Sequence, residues 1–178
     1  MSRALSALVD LSDSGSWATL DTETTGLGIY DVVVEVALVD CDGSLLYESL
    51  ARPERSVTAK AAAVHGLSRV ELDAAPSWSS VWTSLQPLLR GRTVLAWNMS
   101  FDLRLLRQTC DRHDLPFQAP RSLCLRAAFG EKHPHIRGTL DAACLTLGCS
   151  ARPSHRARQD AEVARQVAIA LMAAAGAS

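Results

Sequence analysis

Residues 31–50 read DVVVEVALVDCDGSLLYESL. Branched valines recur too densely here for a comfortable helix, because they lose rotamer freedom against the preceding turn and pack well on a pleated surface. The run therefore predicts a strand, and Asp42-Gly43 supplies the turn chemistry that ends it. SLLYESLARP then predicts the returning strand, closed by Pro53. A β-hairpin near the start commits the chain to a sheet, and the remaining elements have to be arranged around it.

SWATLDTE, just before the hairpin, predicts a short buried strand, and TVLAWN at 93–98 predicts another. Between them SVTAKAAAVHGLS predicts a loop with some helical character, and SWSSVWTSLQPLLRG predicts a helix capped by Ser77 and closed by Gly91. SFDLRLLRQTCDRHDL predicts an amphipathic helix, with Leu103, Leu106 and Cys110 at helical spacing and arginines on the other side. RSLCLRAAFGE and TLDAACLTLG predict two short helices, the second stopped by Gly148. ARPSHRA predicts a loop before a last helix, RQDAEVARQVAIALMAAA. A meander joined by a later strand and followed by helices gives an α/β mixed sheet with helices packed on it. The 178 residues predict a single domain with its core at about 17–170.

Composition narrows the class. At 48% apolar and 21% charged residues the chain is a globular protein and not a disordered one. A net charge of -1 does not advertise a polyanion partner, although bound cations can supply positive charge locally. Arg121, Arg126, Lys132 and Arg137 make one locally basic stretch, which predicts solvated surface. Five cysteines without CxxC spacing predict reduced thiols in a cytoplasmic protein. No apolar stretch is long and charge-free enough to cross a membrane, and MSRALSALVDLSDSG, interrupted by Asp10 and Asp13, makes a poor signal peptide.

The chemistry lies in three places. WATLDTETTGLG ends an apolar run in Asp21 and Glu23, two apart and therefore on one face of a strand. Two carboxylates this close stay ionised together only with a cation between them. AWNMSFDLRLL puts Asp102 in the first turn of a helix, and SHRARQDAEVA puts His155 on a loop and Asp160 at the start of the last helix. Each acid alone reads as ordinary surface or as complement to a helix dipole. Together, four carboxylates offer hard oxygen ligands suited to Mg²⁺ or Mn²⁺, and two such ions serve in-line displacement at phosphorus. A histidine is the side chain best suited to take a proton from water near neutral pH.

DTETTGLG, NMSFD and HRARQDA, in this order and spacing, resemble the DEDDh 3′–5′ exonucleases, the group that includes the proofreading subunit of bacterial DNA polymerase III. AVHGLS and TLDAACLTLG agree with it. The resemblance spans about Trp17 to Ala170. It implies an RNase H-like fold with a five-stranded mixed sheet. It implies Asp21, Glu23, Asp102 and Asp160 as ligands of two divalent ions and His155 as general base. It also implies that Thr24, the backbone at Thr25, Leu27, His65, Asn98 and Phe101 meet the terminal nucleotide. Trp97 stands where relatives often carry a histidine, and we expect it in the core.

The expected activity is removal of nucleoside 5′-monophosphates from 3′ ends of single-stranded DNA. The alternatives are an RNA 3′ exonuclease of the oligoribonuclease type, a polymerase-associated proofreading factor, and a binding module without turnover. Few residues follow the last motif, so a long tail tethering the chain to a polymerase is not expected, and no clamp-binding motif stands out.

Overall fold

The computed structural model describes residues 3–12 and 15–176, so Asp13 and the last two residues of the small-residue tail lie outside the described residues. Five strands form one sheet: β1 (Trp17–Thr24), β2 (Val33–Asp40), β3 (Leu45–Leu50), β4 (Thr93–Ala96) and β5 (Arg121–Cys124). Their order is β3-β2-β1-β4-β5, with the first three antiparallel and β4 and β5 parallel to β1. The hairpin forms as expected, and β2 is buried on both sides because helices cover both faces of the sheet. This is the five-stranded mixed sheet of the RNase H-like fold.

Strand alternation sorts the two layers. Ala18, Leu20, Val36 and Leu38 face α4 (Trp78–Leu89) and α5 (Met99–Arg112), where Trp78, Trp82, Leu85 and Leu105 fill the core. Trp17 and Leu95 face the other layer, built from α1 (Arg3–Val9), α6 (Leu125–Lys132), α7 (Leu140–Leu147) and α8 (Ala157–Gly176). Ala37 and Val39 pack directly on Ala157 and Ala161 of α8, small side chains that let the helix lie close to the sheet.

Four local expectations change. RSLC is not helical but forms the edge strand β5, paired in parallel with all four residues of β4. It is too short to alternate visibly and runs without a break into α6, so helical periodicity overwrote it. The 56–68 stretch is more ordered than a loop, with α2 (Ala59–His65) capped by Thr58 and ended by Gly66, and α3 (Arg69–Ala74) started by a Ser68–Glu71 capping box. On α5 the buried row is Met99, Asp102, Leu105, Leu106, Thr109 and Cys110, leaving Leu103 at its flank. The poor signal peptide is a short helix whose Leu5 and Leu8 plug the α6–α8 layer. Gly148 ends α7 in the left-handed conformation, as its position predicted.

Candidate active site

The site is built around the end of β1. Alternation sends Asp21 and Glu23 to the α8 side of the sheet, and Glu23 stands in register with Glu35 of β2. A register shift between Glu23 and Thr24 then turns the chain out of the ladder. The turn that follows is held by Asp31. Its carboxylate accepts from the Thr25 hydroxyl at 2.7 Å and from the Gly28 N–H at 2.7 Å, with Arg55 at 3.6 Å. Gly26 presses on this carboxylate so closely that a Cβ there would lie 2.7 Å from Asp31 Oδ2.

Asp102 arrives from α5 on the opposite layer. Thr22, whose side chain alternates to that face, donates its hydroxyl to Asp102 Oδ1 at 2.8 Å. The strand therefore presents three neighbours in a row, two acids on one side and the orienting hydroxyl of a third acid on the other.

The third piece is a tight turn before α8. Asp160, in the first turn of α8, accepts from the Ser154 N–H at 2.7 Å. His155 has a left-handed backbone, φ 56°, and an exposed side chain. Glu23, His155 and Asp160 each bring one ligand atom within 4.8 Å of one another. Asp21 and Asp102 stand outside that trio, but all five side chains line one cleft of about 950 Å³.

Electrostatics ties the acids together. Burial pushes the Asp21 carboxyl well above its ordinary value, and the charges of Asp102, Asp160 and Glu23 add to it. Burial and then Asp160 push Glu23 up to about 8. Burial pushes Asp102 up to about 7 against the Thr22 hydrogen bond, which favours its charged form. Asp160 is raised as well, chiefly by burial. Alone, these groups cannot all be ionised at neutral pH; divalent cations would reverse that. All four ligand candidates offer oxygen, His155 is the nitrogen beside them, and among the described residues no thiol lines the cleft. This donor set fits hard divalent ions.

The nucleotide-side candidates also lie on the cleft wall, except that Thr25 is buried with its hydroxyl committed to Asp31. Thr24 is buried and donates to the Gly26 carbonyl. Leu27 is 68% exposed at the cleft mouth, whereas Phe101 and Asn98 are half-buried. His65 is buried, its Nδ1 accepting from the Leu67 N–H while Nε2 has no hydrogen-bond partner among the described residues. Trp97 serves two surfaces, tilting its ring against the core Phe129 and lining the cleft. Of the basic stretch, Arg137 lines the cleft beside Gly138 and Thr139, while Lys132 donates to the Ala174 carbonyl.

Sequence reading missed Thr22, Glu35 and Arg156. Glu35 is 1% exposed, and Arg156 grips it with Nε and Nη2 at 2.7–3.1 Å. Its signal was visible as one acid inside an otherwise apolar strand, a placement that demands a buried partner. Thr22 carried none, since threonine is ordinary in a strand.

The exonuclease family model RNase_T matches residues 19–168. The chain is 30% identical over 118 residues, 63% of its length, to the uncharacterized exonuclease CP81 of Escherichia phage 186, of which it covers 61%. It spans less than two thirds of the curated relatives that it matches. Exonuclease X, solved in complex with 5′ overhanging duplex DNA, is 26% identical with a TM-score of 0.71, over 90% of this chain and 93% of that one. The nuclease domain of 3′hExo, a DEDDh family member bound to rAMP, shares the fold at 15% identity and a TM-score of 0.77, over 92% of this chain and 94% of that one. The family match runs from inside the strand that carries Asp21 and Glu23 to well past Asp160, and so the chain, which shares the fold of a DEDDh nuclease, belongs to the RNase_T exonuclease family, whose chemistry implies divalent metal ions.

Proposed function

We propose that this chain is a 3′–5′ exonuclease that releases nucleoside 5′-monophosphates from the 3′ ends of single-stranded DNA. The observation that carries this reading is the convergence of Asp21, Glu23, Asp102, Asp160 and His155 on one cleft. The four acids would hold two divalent ions, Mg²⁺ or Mn²⁺, which when bound supply Lewis acidity and charge neutralisation for displacement at phosphorus. His155, held beside Glu23 and Asp160, accepts the proton of the attacking water. The new bond forms between that oxygen and phosphorus. The bond to the 3′-oxygen of the preceding nucleotide breaks, so the phosphate leaves on the released nucleotide and the shortened strand takes up a proton at its new 3′-hydroxyl.

The remaining lining of the cleft suits a single unpaired end. Leu27, Phe101 and the His65 ring offer apolar and flat surfaces that stack on any base and so give little sequence preference. Thr24 and Asn98 line the same cleft, and we assign them, with the backbone at Thr25 next in the chain, to the sugar of the last nucleotide. We read the described residues as one exonuclease domain. Its five cysteines are all free, which suits a reducing compartment such as the cytoplasm, and among the described residues no helix is long and apolar enough to cross a membrane.

A direct test uses a 5′-labelled single-stranded DNA oligonucleotide, its RNA twin and a duplex with a recessed 3′ end. Each is incubated with Mg²⁺, Mn²⁺ or EDTA beside Asp21→Ala. The reading expects a ladder shortening from the 3′ end, fastest on single-stranded DNA, and absent in EDTA and in the variant. Faster loss of the RNA twin would move the substrate to RNA. A ladder unchanged in Asp21→Ala would refute the site, and activity appearing only with added polymerase would make the chain a partner-dependent factor.

A further inference from the structure

His155 sits on backbone that a non-glycine residue adopts only at a cost, φ 56°. Something must hold it there. The residues on both sides of it are fastened, and by different elements. Ser154 is fastened by Asp160, one turn into α8, through its N–H at 2.7 Å. Arg156 and Ala157 are fastened by a single side chain on the sheet, Glu35. Arg156 donates from Nε to both Glu35 oxygens, at 3.0 and 3.1 Å, and from Nη2 to Oε1 at 2.7 Å. The Ala157 N–H donates to Oε2 at 3.0 Å.

Glu35 belongs to the same constellation of acids by position. It stands opposite Glu23 in the β1–β2 ladder and on the same face of the sheet. It differs in its chemistry. A carboxylate with only 1% exposure is tolerated when its lone pairs are filled, and here a planar guanidinium fork and a helix N-terminal amide fill them. No lone pair is left over to serve a cation as the four cleft acids can. Arg156 in turn lays its fork on the buried acid while its side chain stays 46% exposed. It is therefore a tether between the sheet and the turn.

We infer that Glu35 and Arg156 are positioning residues that clamp the turn 154–157 to the sheet and so hold the His155 imidazole over Glu23 and Asp160. This rests on the reading of His155 as the group that takes the proton from water. Glu35 does not touch the substrate and binds no cation in this account. It acts only through the turn. Arginine is required at 156 because the two parallel hydrogen bonds fix the angle of the chain as well as its distance, which the point charge of lysine cannot do. The same turn explains why a residue between two fastened neighbours tolerates the left-handed backbone.

The test is a double-mutant cycle on the full chain, with a 5′-labelled single-stranded DNA oligonucleotide and saturating Mg²⁺. The variants are Arg156→Lys, His155→Asn and the two combined, with Glu35→Gln as an independent break of the same clamp. Asparagine is chosen at 155 because it accepts left-handed backbone but does not act as a base at neutral pH. Arg156→Lys should lower kcat by about 10- to 100-fold, the range seen when a supporting partner of a reacting group is lost. KM should stay within about twofold, as expected when ground-state binding is untouched. Glu35→Gln should show the same split. In the His155→Asn background the lysine substitution should cost less than about threefold more, because both changes remove one unit. If the loss from Arg156→Lys is as large in the His155→Asn background as in the parent, the clamp does not act through His155 and the inference fails. If the loss falls on KM, Arg156 contacts the nucleic acid itself and the inference also fails. Should His155→Asn keep the kcat of the parent, the general-base reading falls first, and the route assigned to the clamp falls with it.

Discussion

Gly26 has no room for a side chain, and the reason is a carboxylate outside the cleft lining. Asp31 lies 2.7 Å from where a Cβ would be, and it is itself tied to Thr25 and Gly28. Gly26→Ala should therefore destabilise the protein by about 1–3 kcal/mol, the usual cost of overpacking a site whose neighbours cannot move aside. Urea denaturation measures this directly. A neutral result would show that the turn after β1 yields more easily than its hydrogen bonds imply. The acids of the cleft behave oppositely at this scale. Each is raised in pKa mainly by burial, and at Asp21 and Glu23 the neighbouring acids raise it further. Asp21→Asn should leave or raise thermal stability in EDTA while removing more than ~100-fold of kcat, as loss of a preorganised charge in a low-dielectric site does. Stability and activity moving in opposite directions would mark Asp21 as functional. A parallel fall in both would mark it as structural.

Among the elements, the hairpin, both long central helices and the carboxylate-bearing ends of β1 and α8 were legible because each carries its own local signal. The Asp-Gly turn, the Ser77 cap, the Gly148 stop and the valine run are all decided within a few residues. β5 and α1 were not, and for one reason: what makes them elements is the rest of the molecule. Four residues of β5 become a strand by pairing with β4. The seven residues of α1 are below the length at which an isolated helix holds, and they form one because Leu5 and Leu8 fit between α6 and α8. α1 should accordingly behave as core. Leu8→Ala is expected to cost about 2–5 kcal/mol in chemical denaturation, the range for emptying a buried leucine site. Activity per folded molecule should be unchanged, since Leu8 does not line the cleft and packs with Trp17, at the opposite end of β1 from the acids. If stability is unaltered, α1 is a loosely held strap and not part of the core.

For the whole molecule, the site shows up as a pH dependence with a definite sign. Glu23 titrates near 4.5 in the unfolded chain and at about 8 in the fold, and Asp102 moves from 3.8 to about 7. Between those limits the folded protein binds more protons than the unfolded one, so in EDTA stability is greatest at the acid end and is lost as pH rises through the folded values. Melting temperatures taken at about pH 5.5 and about pH 8.5 should therefore fall with pH in EDTA. With excess Mg²⁺ or Mn²⁺ the acids stay ionised at both pH values and the slope should flatten or reverse. An identical slope with and without the metal would mean that these carboxylates are not its ligands. The candidate acids could be proposed from sequence because their spacing places them at three element ends. Their mutual electrostatics could not, because burial is a property of the assembled layers and no local pattern encodes it. Thr22 escaped for the same reason, because an orienting hydroxyl acquires meaning only when α5 has docked, whereas Glu35 did leave a local mark, a lone acid inside an apolar strand, and only its partners waited for α8.

The strand order carries a consequence for how the chain is made. Asp21 and Glu23 are made before the rest of the set, yet their strand is the middle of the sheet and its parallel neighbour β4 begins only at Thr93. Asp102 follows, and His155 and Asp160 come last. A copy whose synthesis stalls between Asp102 and the turn before α8 thus holds three of the acids and lacks the turn that completes the set. On the proposed mechanism the cleft therefore has no general base until the turn before α8 has been made, and the nascent chain gains activity only with its last helix.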